Sequence, residues 1–172
     1  MKEYFVFETK NESEQHKEVY AYFGLAVYWA QVLEHQIANM LVVSRIMQGQ
    51  VVSEDEFDVL FTKKLANTLG QLINEITQTY KLSESDKKEL KEVLDLRNFI
   101  VHDYFKEKIQ LFVTTKGREL MINDFIEFRD KCSKIDKRLV DLASLYYQRL
   151  GITKEWINEQ VEQIKKEARE KY

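Results

Sequence analysis

The chain of 172 residues contains no proline and only five glycines, and 12% of its residues are aromatic. Sandwiches and barrels use more turn residues than this, and disordered chains have less apolar surface to bury, so the composition favours a mostly helical globular protein. The formal net charge of −3 gives no global positive field for nucleic acid, so any contact with phosphate must be local.

The sequence also indicates a cytoplasmic protein without membrane contact. No apolar run approaches the roughly 18 residues that span a bilayer. The opening segment, MKEYFVFETKN, is too short and too acidic for a signal peptide. The single cysteine, Cys132, excludes an intrachain disulfide and is compatible with a reducing compartment.

The first elements are an arm and a long helix. Residues 4–9 are aromatic and β-branched, which predicts a short extended arm or an edge strand. Ser13 is the predicted N-cap of a helix over residues 14–48 that ends at Gln48-Gly49. Its apolar stripe consists of Val19, Phe23, Ala26, Ala30, Leu33, Ile37, Met40 and Met47.

Two further helices are predicted in the middle of the chain. A second helix is capped by the polar residues 53–56 and continues to Tyr80, with apolar residues at helical spacing from Phe57 to Ile76. Ser83 begins a third helix, whose apolar positions extend from Leu90 to Val101.

The pattern changes over residues 109–122, which predict either a small β-hairpin around Lys116-Gly117 or a helical corner. Asn123 or Asp124 caps a fourth helix that ends before Gly151, and Thr153 caps a charged C-terminal helix. We therefore expect one all-α domain over residues 1–172. Its core, residues 17–150, is an antiparallel bundle of four long helices, and residues 153–172 form a fifth helix.

The three histidines do not form a metal site. His16 is expected to be a surface residue, and His35 lacks a second ligand at the spacing that zinc sites use. Phosphate-binding glycine loops and nucleophile-elbow motifs are also absent from the sequence. We therefore expect neither a metal nor a cofactor.

One segment, residues 96–105, concentrates chemically active side chains near the end of a helix. Asn98 and His102 are four residues apart and share a face, so the amide can hold one imidazole tautomer. Arg97 and His102 diverge by roughly 140° on a straight helix. Both can reach one phosphate only at a distorted helix end or across a symmetric dimer. Alternatively, Arg97 pairs with Glu92 or Asp95, and His102 is a partly buried structural residue.

The run Arg97-Asn98-x-x-x-His102 resembles the RxxxxH motif of the HEPN superfamily (higher eukaryotes and prokaryotes nucleotide-binding domain). Together with Tyr104 it is similar to the RxxxxHxY form of HepT-like toxins from HEPN/MNT toxin–antitoxin pairs. The resemblance covers roughly residues 17–150. The long first helix, the 109–122 segment and the charged tail depart from those shorter chains.

This resemblance implies a metal-independent endoribonuclease of a toxin–antitoxin or phage-defence system. His102 would act as general acid or base at the ribose 2′-hydroxyl, and Arg97 would bind the scissile phosphate. Asn98 would orient His102 or contact the same phosphate. Tyr104 would be the site at which a nucleotidyltransferase antitoxin adds AMP. Some superfamily members are non-catalytic, so a nucleotide- or protein-binding module and a structural helical dimer stay open as alternatives.

The partners implied by this interpretation are RNA and a second copy of the chain. Because Arg97 and His102 diverge, we predict a two-fold homodimer that joins the motif helix and the first helix. Gly24, Ala26 and Ala30 are small residues that would permit close approach of the first helix.

Overall fold

The computed structural model describes residues 4–8, 11–50 and 53–171, and these residues form seven helices and no strand. The helices are α1 (Glu12–Met47), α2 (Glu54–Leu65), α3 (Leu69–Thr79), α4 (Glu84–His102), α5 (Tyr104–Phe112), α6 (Thr115–Arg149) and α7 (Lys154–Lys171). The all-α prediction is thereby confirmed. Within the described ranges, every helix is too short or too polar to cross a lipid bilayer.

The long helices α1 and α6 pack along most of their length and form the centre of the fold. Three contacts show their relative direction: Gln15 bonds Arg118, Phe23 packs on Phe125, and Gln36 bonds Tyr147. Because the residue numbers on α1 and on α6 increase in the same direction from one contact to the next, the two helices run parallel. The expected antiparallel order is therefore wrong for this central pair.

The physical reason is a chain reversal that the sequence patterns did not reveal. The predicted second helix, 54–80, is two helices, since the chain turns at residues 66–68. Thr68 forms a capping box with Gln71 and so begins a new helix. Helix α3 then packs against both α1 and α4, so the chain makes one more reversal here than the prediction of a single second helix contained.

The segment 109–122 is helical, so the β-hairpin alternative is wrong and the helical corner is what forms. Thr114 caps α6 by accepting a hydrogen bond from the Gly117 amide. The cap of α6, Thr114, consequently lies nine residues before Asn123, the earlier of the two expected caps. Asn123 binds the N-terminal arm instead, and Asp124 binds the Tyr104 hydroxyl.

The arm over residues 4–8 is extended but is not part of a sheet, and Thr9, the last residue of the predicted arm, lies outside the described residues. The Asn123 side chain accepts from the Phe5 amide at 2.9 Å and donates to the Phe5 carbonyl at 3.2 Å. The Phe5 and Phe7 rings pack against each other and against the edge of the core. The arm is thus held by side chains of α6.

Candidate active site

The predicted motif lies where α4 ends and α5 begins. His102 is the last residue of α4, and Asp103 interrupts the helix with φ −124° and ψ −18°. The next residue, Tyr104, turns into the core, where its ring packs against Phe99 and Phe125. Burial of this aromatic side chain therefore fixes the position of the break directly after His102.

Arg97 is directed toward α1. Its guanidinium lies 3.3 Å from the Glu34 carboxylate and donates to the Asn98 amide oxygen at 3.1 Å. Its partner in the fold is therefore Glu34, and not Glu92 or Asp95 as the structural alternative expected. Helix α4 is continuous from Glu84 to His102, so Arg97 and His102 still diverge by about 140°.

Asn98 and His102 occupy the exposed face of α4, one helical turn apart. In the part of the chain that the structure describes, no hydrogen bond or ion pair engages the His102 imidazole. The Asn98 oxygen accepts from Arg97, so the expected orientation of His102 by this amide is not formed. His102 is exposed, which differs from the partly buried residue of the structural alternative.

Tyr104 is buried and does not share the exposed face on which Asn98 and His102 lie. Its side chain is 2% exposed, and its hydroxyl donates to Asp124 at 2.7 Å. Burial, and then the hydrogen bond to Asp124, raise the pKa of Tyr104 above its ordinary value. A transferase would reach this hydroxyl only after the contact with Asp124 had opened.

A pocket of about 280 Å³ lies between α4 and α6, on the side of Tyr104. Leu96, Phe99 and Phe128 contribute apolar walls, and Lys108 and Lys131 contribute positive charge. Arg97, Asn98 and His102 are not among the residues that line it. The structure therefore places the motif side chains on two surfaces, with Tyr104 on one and His102 on the other.

Sequence reasoning missed a buried polar cluster around Arg118, which is 3% exposed. Its guanidinium donates to Gln15 at 2.9 and 3.0 Å and to the Phe112 carbonyl at 2.7 Å. His16 stacks on Phe112 with ring centroids 4.4 Å apart, so it is not the free surface residue that we expected. Because Gln15 and His16 are about a hundred positions from Arg118, no local spacing indicates this cluster.

His35, the remaining histidine, is exposed on α1 and has its ring centroid 6.0 Å from that of Phe61. No group of three or more histidine, cysteine or acidic residues within the described ranges is arranged to hold a metal ion.

No family model matches the chain, and neither a curated protein nor a solved structure matches it. The functional argument therefore depends on the residues at the α4–α5 junction and on their geometry.

Proposed function

We propose that the chain is a HEPN-like, metal-independent endoribonuclease that acts in the cytoplasm as part of a toxin–antitoxin or phage-defence system. The observation that carries this proposal is the exposed His102 imidazole at the end of α4, one turn from the Arg97–Asn98 pair. An imidazole can take or give a proton at a ribose 2′-hydroxyl. The nearby guanidinium can stabilise charge on the phosphate oxygens.

The proposed chemistry needs two copies of the chain, because Arg97 and His102 diverge on a single helix. In a two-fold homodimer, Arg97 of one copy would bind the scissile phosphate of the RNA. His102 of the other copy would take the proton from the adjacent ribose 2′-hydroxyl. The small residues of α1 were expected to permit close approach of a second copy, but most of them cannot contribute to this interface. Ala26 and Ala30 are buried inside the chain, and Gly24 alone is exposed.

A partner nucleotidyltransferase antitoxin belongs to the same proposal. Addition of AMP at Tyr104 would place bulk and negative charge in the pocket between α4 and α6, and would oppose the binding of any RNA that extends from His102 to this pocket. Since the Tyr104 hydroxyl is bound to Asp124, this modification requires a local opening of the pocket between α4 and α6.

The decisive experiment compares full-length wild type with His102→Ala on a mixed RNA pool, with and without EDTA. We expect the variant to lose cleavage by about 100-fold or more, because general acid–base catalysis contributes roughly 10²–10⁴-fold. Arg97→Lys should also lose activity, since lysine keeps the charge but not the planar fork. EDTA should not change the wild-type rate.

His35→Ala is the matched control, because it removes another exposed histidine that lies on α1. Its cleavage rate should equal that of wild type. Equal cleavage by wild type and His102→Ala would contradict the catalytic assignment, and so would loss of cleavage in His35→Ala alone.

The Arg97–Glu34 ion pair favours a second candidate function, a non-catalytic module that binds a nucleotide or a protein. A guanidinium already neutralised by a carboxylate has less to offer a phosphate in a transition state. RNA or nucleotide binding that is retained in His102→Ala, with no cleavage by either protein, would support this candidate over the ribonuclease.

A further inference from the structure

Exposed apolar side chains are concentrated near the C-terminus. Among the described residues, seventeen large hydrophobic side chains are exposed, and eight of them lie within residues 140–164. Four of the eight, Trp156, Ile157, Val161 and Ile164, lie on α7, and we call these four the C-terminal patch. Clustered exposed apolar surface on a soluble chain marks a site of interaction.

Helix α7 packs little against the rest of the fold, and its first turn lines a cleft together with Val140, Ser144 and Tyr147 of α6. No described residue of α7 is buried, although Ile157, Val161 and Ile164 follow one another at helical spacing on one stripe. An isolated helix of this length is only marginally stable in water, because helices in proteins are stabilised mainly by packing of an apolar face. The stripe therefore requires a partner.

The charges of α7 indicate what that partner is. Its first half, residues 154–163, has a net charge of −2 from Lys154, Glu155, Glu159 and Glu162. Its second half, residues 164–171, has a net charge of +2 from Lys165, Lys166, Glu167, Arg169, Glu170 and Lys171. An identical helix laid antiparallel places the acidic half of each copy against the basic half of the other.

The same charges argue against a lipid surface as the partner. Helices that bind membranes in the interfacial plane carry an excess of lysine and arginine on their polar face. In α7 the acidic and basic residues balance, so anionic lipid would not attract the helix.

We propose that the C-terminal patch joins two copies of this chain, with the two α7 helices antiparallel. A two-fold arrangement makes the same surface serve both copies. This interface is separate from the candidate active site. On α6, Phe128 beside the α4–α6 pocket and Arg149, the last residue before the turn into α7, are 21 residues apart, about 30 Å along the helix.

The first test measures the mass of full-length wild type and Val161→Asp in solution by light scattering and sedimentation. We expect the variant to have half the mass of wild type at micromolar concentration. The dissociation constant should rise by about 100-fold or more, as for a central apolar contact. Gln163→Asp is the control, since it adds the same carboxylate on the opposite side of α7 and should leave the mass unchanged.

Val161 lies outside the core and is 41% exposed, so the variant should retain the helical circular dichroism of α1 to α6. Equal masses for wild type and Val161→Asp, in protein that has kept this signal, would overturn the proposal. RNA cleavage by Val161→Asp is expected to equal that of wild type, so the failure of one proposal is distinguishable from the failure of the other.

The second test examines the antiparallel direction at low ionic strength. Glu159→Lys with Glu162→Lys should weaken association several-fold, because both halves of α7 become basic. Adding Lys166→Glu and Arg169→Glu to these two substitutions should restore association, because the two halves of α7 then again carry opposite net charges. If the variant with all four substitutions does not regain the wild-type affinity of association, the antiparallel arrangement is wrong. Binding of wild type, but not Val161→Asp, to phosphatidylglycerol vesicles would overturn the choice of a second copy.

Discussion

At the scale of single residues, Gly117 is the position where the fold least tolerates a side chain. It lies in the first turn of α6, and a Cβ built there would overlap the carbonyl group of Leu111 at the end of α5. Gly24, in the middle of α1, has open space around its Cβ direction. The two glycines therefore form a natural pair for comparison.

We expect Gly117→Ala to lower the free energy of unfolding by about 1–3 kcal/mol, because the backbone of α5 must move to relieve the overlap. Gly24→Ala should raise it by about 0.5–1 kcal/mol, since alanine loses less backbone entropy in a helix. Urea unfolding monitored by circular dichroism measures both. Equal effects of the two substitutions would show that the α5–α6 corner is not closely packed.

At the scale of elements, the N-terminal arm is bound by two side chains of α6. Asn123 binds both the amide and the carbonyl of Phe5, and the Glu119 carboxylate accepts from the Phe7 amide at 3.2 Å. The Phe5 ring also contacts Tyr22 of α1, with centroids 5.3 Å apart. The arm thus bridges the two central helices.

Asn123→Ala should release the arm, because the backbone of Phe5 then has no side-chain partner at that point. We expect the unfolding free energy to fall by about 1–2 kcal/mol and the Phe5 amide to exchange with deuterium much faster. Asn74→Ala, at an exposed position of α3, is the control and should change neither quantity. Unchanged protection of Phe5 would contradict this assignment.

Helical periodicity predicted most of the helix-forming residues but not the reversals between them. The stripe from Val19 to Met40 is buried except at Phe23, which is half-buried, and Gly151 follows α6 with a φ of +74°. The turn after α2 was missed because Leu65 and Leu69 continue a helical spacing across it. Only the capping box of Thr68 with Gln71 marks the break.

The candidate site could be located by spacing, but its contacts could not. The motif residues do lie at the end of a helix, as their order in the chain predicted. The Arg97 partner comes from α1 and the Tyr104 partner from α6, and both contacts join residues of different helices. Such contacts depend on the path of the whole chain, which local patterns do not encode.

At the scale of the whole molecule, the core contains groups that resist ionisation. Cys132 is fully buried, and burial raises its pKa from an ordinary value of 9.0 to about 12. Burial likewise raises the pKa of Tyr80, whose hydroxyl donates to the Met40 carbonyl. Because the folded pKa of each group exceeds the unfolded one, the stability they provide is complete below the unfolded pKa and is lost as the pH rises above it.

We therefore expect the unfolding free energy to decrease between pH 9 and pH 12, by up to about 1.4 kcal/mol per pH unit for each such group. Urea unfolding at pH 7, 8, 9, 10 and 11 measures this, and Cys132→Ala should show a shallower decrease between pH 9 and pH 10. Between pH 7 and pH 8, the free energies of unfolding of wild type and Cys132→Ala should change by the same amount. A wild-type stability that is constant up to pH 11 would refute the expectation.

The parallel pairing of α1 with α6 has a consequence for how the chain folds. Gln15 and Arg118 are 103 positions apart, so the central contacts form only after a very long loop has closed. Helical proteins usually fold fast because their contacts are local, whereas this one combines helical structure with distant pairing. During synthesis, the apolar stripe of α1 stays without its partner until α6 has left the ribosome. The part of the α1 stripe that packs on α6 is therefore exposed in the nascent chain during most of its translation.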